Sequence, residues 1–309
     1  MATVLDQVSG TEKNRAATRL PGLLPLHWLL LLPTLALMAL LLLYPLAYQF
    51  YLSVHDATLD RPVGTFVGVA NFVELFNEPD FWLITRNSFV WTLGSLLFQF
   101  LLGMGVALLL NQGYPGSGIY RAFMLAPWVM PGVVIGIIWR WIYNPINGIL
   151  NAALDLVGIA PVYWLDDPTM AMAGVIIANV WKGFPFWMLM ISAGLQMIPN
   201  ELYEAAKVDG SSAFQRFRFV TLPGLKTILV MTSTLGFIWT FNFFDLIYVL
   251  TGGGPAEGTR TFPLYIYRTA FKYWDFSESA ATAVLLALLM GIGMVVYIRA
   301  VRLREEQVQ

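Results

Sequence analysis

The chain of 309 residues contains no cysteine, which excludes disulfides, thiol nucleophiles, thiolate zinc sites and iron–sulfur clusters. Charge is also scarce. Asp, Glu, Lys and Arg make up 12% of the residues, against roughly a quarter in soluble domains, so the chain cannot cover an ordinary water-facing surface. A net charge of −1 provides no basic face for nucleic acid. There are two histidines, His27 and His55. They stand apart in sequence, which gives a metal or general-base site no support. No Gly-x-x-x-x-Gly-Lys-Ser/Thr segment occurs, so the chain cannot cradle ATP through a phosphate loop. Asp166 and Asp167 precede Pro168, a pattern of a solvated turn or helix start rather than an acid/base pair. There is no long internal repeat, low-complexity tract or separate soluble domain.

What is abundant is apolar surface. Hydrophobic residues are 58% of the chain, with 11 Trp and 13 Tyr to furnish the aromatic belts at membrane interfaces. The expected fold is all-α and polytopic. A polar tail (1–22) precedes a transmembrane domain (23–301) with spans at about 23–44, 87–110, 120–143, 169–195, 226–250 and 279–301, and a short tail (302–309) follows. Each run suits a hydrocarbon core of about 30 Å at about 1.5 Å rise per residue. The basic flank of the first run resembles a signal peptide, but the run is too long and lacks a clear cleavage site, so it is read as an uncleaved span. Pro33 falls inside it, and Pro127 and Pro131 are expected to bend the third span. Residues 53–86 read as a mixed polar connection with Gly64, Gly68 and Pro79 as breakers. An even number of spans puts both ends on one side. That side then carries eleven basic residues against six on the other, which makes the termini and the 199–223 segment cytoplasmic.

That segment is the polar interruption around which the chain is organised. Asn200 is the expected N-cap of a short helix through Lys207. Gly210 is placed to end it in the left-handed conformation. Ser212 and Gln215 have capping-box spacing for a second helix, and Pro223 stops it or marks the next span. Glu204-Ala205-Ala206, then Gly210, Val220 and Leu222-Pro223, at their spacing, resemble the EAA loop of permeases from binding-protein-dependent ABC importers, with Val220 where isoleucine is usual. The resemblance implies a cytoplasmic coupling helix that docks into a groove on an ATP-hydrolysing subunit. The residues so implicated are Glu204, Ala205, Ala206, Asp209, Gly210, Arg216, Leu222 and Pro223: Glu204 as an anionic contact, the two alanines for close packing, Gly210 as the bend and Arg216 as a charged contact.

The resemblance continues through Phe244 to Thr251 and Gly252-Gly253-Gly254-Pro255, and through Trp139 to Asn151. It is nearest to the first-partner permeases of maltose- and glycerol-3-phosphate-type carbohydrate importers, without the large periplasmic insertion of the maltose type. It implies a bacterial or archaeal inner-membrane subunit that works with a second permease, two ATP-binding subunits that carry ATP and Mg, and an extracytoplasmic solute-binding protein. This chain itself would hold no cofactor or metal and would not be an enzyme.

Polar side chains within spans are costly and face protein or water. Asn179, Trp181, Lys182, Asn242, Phe244 and Asp245 combine amides, charges and aromatic faces of the kind that bind sugars, and they are the expected substrate path. Gln99 and Thr240 are further polar positions in spans. The competing view pairs Lys182 with Asp245 and leaves the aromatics as packing. Two other functions are weaker. An intramembrane enzyme would need a His/Asp/Glu cluster, which is not found. An ion-coupled secondary transporter acting through Asp245 or Lys182 would show matching halves.

Overall fold

The computed structural model describes residues 26–113 and 115–306, within two units, 1–48 and 49–309. The expected tail 1–22, the first residues of the first span and the last three residues of the chain lie outside the described residues. In the first unit, α1 (Leu26–Met38) runs into a π-turn (Ala39–Leu43) and then into α2 (Tyr44–Ser53). The wide turn lies just before Pro45. A proline has no N–H for the α-helical ladder, and a π-turn is where such a ladder changes register. The same arrangement recurs before Pro223 at Phe217–Thr221. Tyr44 and Tyr48, one turn apart, stack at 6.2 Å.

After α2, whose last residues belong to the second unit, comes an antiparallel hairpin, β1 (His55–Thr58) and β2 (Arg61–Phe66), where the sequence suggested only an irregular connection. Gly64 has φ +62°, and a Cβ there would fall 2.4 Å from the Asp56 carbonyl oxygen, so the bulged pairing requires glycine. Asn71 of α3 (Ala70–Asn77) donates to the Ser53 and His55 carbonyls and holds the hairpin down. Helix α4 (Pro79–Leu110) starts eight residues before the expected span, with Pro79 at its first position, where a missing N–H costs nothing. Next come α5 (Ser117–Val129), α6 (Gly132–Ile142), α7 (Ile149–Asp155) and α8 (Pro168–Gln196), whose N-cap Asp167 accepts from the Thr169 and Met170 amides. The polar segment holds α9 (Asn200–Val208), α10 (Ala213–Arg216) and α11 (Leu222–Gly224). The chain ends with α12 (Lys226–Phe241), α13 (Asp245–Leu250), α14 (Phe262–Phe271) and α15 (Phe276–Glu306).

Four helical stretches are long and apolar enough to cross a membrane alone, and there are up to six spans if each of two bent pairs counts as one. The third expected span is not one bent helix. It is two helices, α5 and α6, that meet at 98°. The fifth is divided at Asn242–Phe244 into α12 and α13, and α12 departs by 66° from the helical stretch 213–224 before it.

The framework is α4 laid along α8. Gly103 lets the two backbones close in, because a Cβ there would sit 2.5 Å from Trp187 Cβ and 3.0 Å from the Met188 amide, as small residues do at membrane helix interfaces. Three apolar clusters fill the unit. One gathers Trp91, Ile135, Trp139, Val175 and Leu246. A second, with Leu110, Ile191, Leu195, Ile198 and Leu225, reaches the polar segment. The third, with Leu75, Phe81, Phe241, Phe262 and Leu286, lies toward the hairpin.

At the hairpin end, the 251–261 loop is bound in place. Arg260, nearly buried, pairs with Asp80 and Glu257, and Arg268 pairs with Glu257 at 2.7 Å and donates to the Gly252 carbonyl. Asn87 donates to the carbonyls of Glu257 and Arg260. Below it, Tyr265 bonds to Glu278 and Glu78. Burial, then these carboxylates, push its phenol well above the ordinary range.

Candidate functional site

Two places on the second unit have the character of a functional site: a cavity among the broken helices and the polar knob of residues 199–224.

The cavity measures about 360 Å³ and is walled by α4, α5, α8 and α12 with the break that follows it, a size typical of small-molecule sites. Aromatic rings form much of its wall: Trp128 stacks on Phe186 at 5.9 Å, and Phe186 meets Trp239 at 5.0 Å. Polar groups are interspersed. Gln99 donates to the Asn179 carbonyl at 3.0 Å and accepts from the Trp187 indole at 3.3 Å. Gly183 makes room for this, since a Cβ there would strike the Gln99 amide at 2.2 Å. Asn179 is 5% exposed, and its Nδ2 has no hydrogen-bond partner, an unmet donor on the wall of a cavity.

Lys182 Nζ donates to the carbonyls of Trp128 at 3.3 Å and Met130 at 3.2 Å, and lies 5.8 Å from the centre of the Phe243 ring. A lysine at mid-span costs about 3 kcal/mol on insertion scales. Two charge-assisted bonds at about 1.5–3 kcal/mol each are enough to offset that. Asp245 is exposed at the start of α13, and it and Phe243 pack over Gly132, where a Cβ would fall 3.0 Å from each. No ion pair joins Lys182 to Asp245 among the described residues.

Of the six residues expected to line a substrate path, the structure brings Asn179, Lys182 and Asn242 to the cavity wall. The other three lie elsewhere. Trp181 turns into the core against Trp139, Phe244 packs on Tyr248 and Tyr267, and Asp245 is off the wall. The reason is angular: on a helix, neighbours in sequence point about 100° apart, so chemistry alone does not choose a face. The wall residues Trp128, Phe186 and Trp239 were not picked out by sequence reasoning. Phe186 was accessible, because 179, 182, 183 and 186 follow the i, i+3, i+4, i+7 rule for one helix face.

The knob is built from short capped pieces. Asn200 is the first residue of α9 rather than its N-cap. Pro199 holds the cap position and its fixed φ of −58° suits the entry. Gly210 has φ +73° with open space around it, which reverses the chain after α9. Ser212 and Gln215 then exchange the two bonds of a capping box. Tyr203 and Thr221 share a hydrogen bond of 3.0 Å that ties the two halves together. Glu204, Ala205, Asp209, Gly210 and Pro223 are exposed, while Ala206, Arg216 and Leu222 are half-buried. Arg216 turns back and donates to the Ser211 carbonyl, so its guanidinium clasps the turn within the knob. Around these residues stand Val208 (88% exposed), Phe214 (74%) and Phe219 (71%). These side chains give an otherwise polar segment exposed apolar area.

Residues 99–307 match the family model described as the binding-protein-dependent transport system inner membrane component. The chain belongs to this family. It is therefore a multi-pass membrane protein and a permease subunit of the ABC importer kind. It is 36% identical over 284 residues to a trehalose/maltose transport system permease protein of Thermococcus litoralis, covering 91% of this chain and 95% of the relative. It is 34% identical over 278 residues to a sulfoquinovosyl glycerol transport system permease protein of Agrobacterium fabrum, with 90% of each chain covered. Among solved structures it resembles a chain of a bacterial ABC transporter involved in import of the acidic polysaccharide alginate, with TM-score 0.79 over 90% of this chain and 95% of that one. At 22% identity that likeness concerns the fold.

Proposed function

We propose that this permease forms half of the translocation path of an ATP-driven importer for a sugar or sugar derivative. The observation that carries the reading is the mid-span cavity, which the rings of Trp128, Phe186 and Trp239 line together with the amides of Gln99, Asn179 and Asn242. Aromatic faces cover the apolar side of a sugar ring while amides take its hydroxyls. The names of the relatives support the same substrate class. Two of the three rings, Trp128 and Trp239, come from helices that are broken rather than continuous, as in transporters whose sites lie near the bilayer midplane.

The knob is the coupling element in this reading. Glu204, Ala205, Ala206, Asp209 and Gly210 present the docking face, Leu222 and Pro223 deliver it to α12, and the exposed Val208, Phe214 and Phe219 supply apolar area to be covered. Arg216 holds the turn in shape more than it reaches a partner. ATP and Mg belong to two ATP-binding subunits that press on this knob and on that of a second permease. A solute-binding protein delivers substrate to the hairpin end, outside the cell membrane. The termini and the knob share the cytoplasmic side.

The test is Glu204→Lys in the chain co-expressed with its genomic partners. The variant should remain in the membrane and lose the co-purifying ATPase, and import should fall to background. Full import with the ATPase retained would remove the knob from the coupling route.

A further inference from the structure

We infer that Lys182 is a positioning residue whose ammonium fastens the elbow between α5 and α6 to the middle of α8, and thereby sets the width of the cavity. The inference rests on the reading of that cavity as the substrate passage.

The elbow creates the need for a donor. Helix α5 stops at Val129, Met130 is extended with ψ 139°, Pro131 follows, and α6 leaves at 98°. The last carbonyls of a helix have no donor from their own helix, and Pro131 has no N–H to offer. At membrane depth such carbonyls must find a partner inside the protein. Lys182 provides it twice, at Trp128 and Met130, and its positive charge suits the negative end of α5. Among the described residues, Asp245, at the start of α13 and packed over Gly132, is a charged neighbour of Lys182. Two of the three ammonium N–H groups go to the elbow carbonyls, and none forms an ion pair with Asp245 among the described residues. The structure has the carbonyl bonds instead.

The placement gives the clasp a mechanical role. Helix α8 ends at Gln196 and α9 of the knob begins at Asn200, so a push on the knob reaches Lys182 along one continuous helix. Trp128, which Lys182 holds by its carbonyl, carries the ring that stacks on Phe186 in the cavity wall. Moving α8 therefore moves the elbow and one wall of the passage together.

The chain has no cysteine, so paired labels can be placed on it, purified and labelled before assembly, without removing any native thiol from it. Phe123→Cys on α5 and Ile137→Cys on α6, both at exposed positions, would carry spin labels in the assembled importer in nanodiscs. Distances would be read by double electron–electron resonance without nucleotide and with ATP and vanadate. With Lys182 present, each condition should give one narrow distribution. Lys182→Met should broaden or shift it, and Lys182→Arg, which keeps donors and charge, should restore it. In proteoliposomes with the solute-binding protein, radiolabelled maltose and trehalose are the probes. Lys182→Met should lower sugar moved per ATP hydrolysed about tenfold, and Lys182→Arg should recover most of it. If the methionine variant does not assemble, Lys182→Gln, which keeps neutral donors, should give an intermediate distribution. Unchanged distances in Lys182→Met, or an arginine variant that behaves like the methionine one, would overturn the clasp. Failure of the native importer to move either sugar would count against the substrate reading, while the distances would still decide the role of Lys182.

Discussion

The unbroken helices and the broken ones do different work in this permease. Helices α4 and α8 run whole and meet along a seam that includes Gly103, where there is no room for a Cβ. Helices α5–α6 and α12–α13 are interrupted, and the interruptions are where the cavity forms. Close packing stores stability because every displaced methylene is felt. A broken ladder exposes carbonyls and opens room, which is what a passage needs and a scaffold avoids.

The unbroken side is most vulnerable at Gly103. Gly103→Leu must push apart Trp187 and the Met188 backbone, and overpacking with no flexible neighbour should cost about 3 kcal/mol or more. Thermal unfolding in detergent should show a large loss of the folded fraction. Trp239→Ala acts on the broken side. That ring is half exposed at the cavity, so import should drop about tenfold, roughly 1.4 kcal/mol of barrier, with little change in melting. Gln99→Leu joins the two sides, removing the bonds to Trp187 and the Asn179 carbonyl. At about 1 kcal/mol per bond it should lower stability by roughly 2 kcal/mol and reduce import as well. Gly105→Ala sharpens the contrast from the opposite direction. It lies two residues from Gly103, but a Cβ there meets nothing within 4 Å. It should be neutral or raise stability by up to about 1 kcal/mol. Equal damage from Gly103→Leu and Gly105→Ala would mean that the seam is not what holds α4 in place.

How much the sequence revealed follows the same division. The apolar runs marked the membrane helices because the bilayer imposes length and composition on any span. The knob showed its turn at Gly210 and its cap at Ser212 and Gln215, since both are local backbone devices with their own residue signatures. The elbow at Pro131 was visible only as a bend. The 98° angle is a tertiary feature, and Lys182, which donates to two of the elbow carbonyls, lies 51 residues further along the chain. The hairpin at 55–66 was hidden because short strands with a glycine bulge carry almost no alternation. For the cavity, aromatic side chains toward lipid and toward a sugar look alike in sequence, so Trp128 and Trp239 gave no sign while Trp181 and Phe244 attracted notice without lining it.

The ion pair between Asp80 and Arg260 has a consequence for how the chain is made. The two residues are 180 positions apart. At about 5–20 residues per second of synthesis, Asp80 waits roughly 10–40 s on the ribosome's clock before its partner exists. Ala57 and Ser277, whose groups bond across the same end, wait longer still. The hairpin end can thus be sealed only once the chain has been made through Ser277, after all but the last helix.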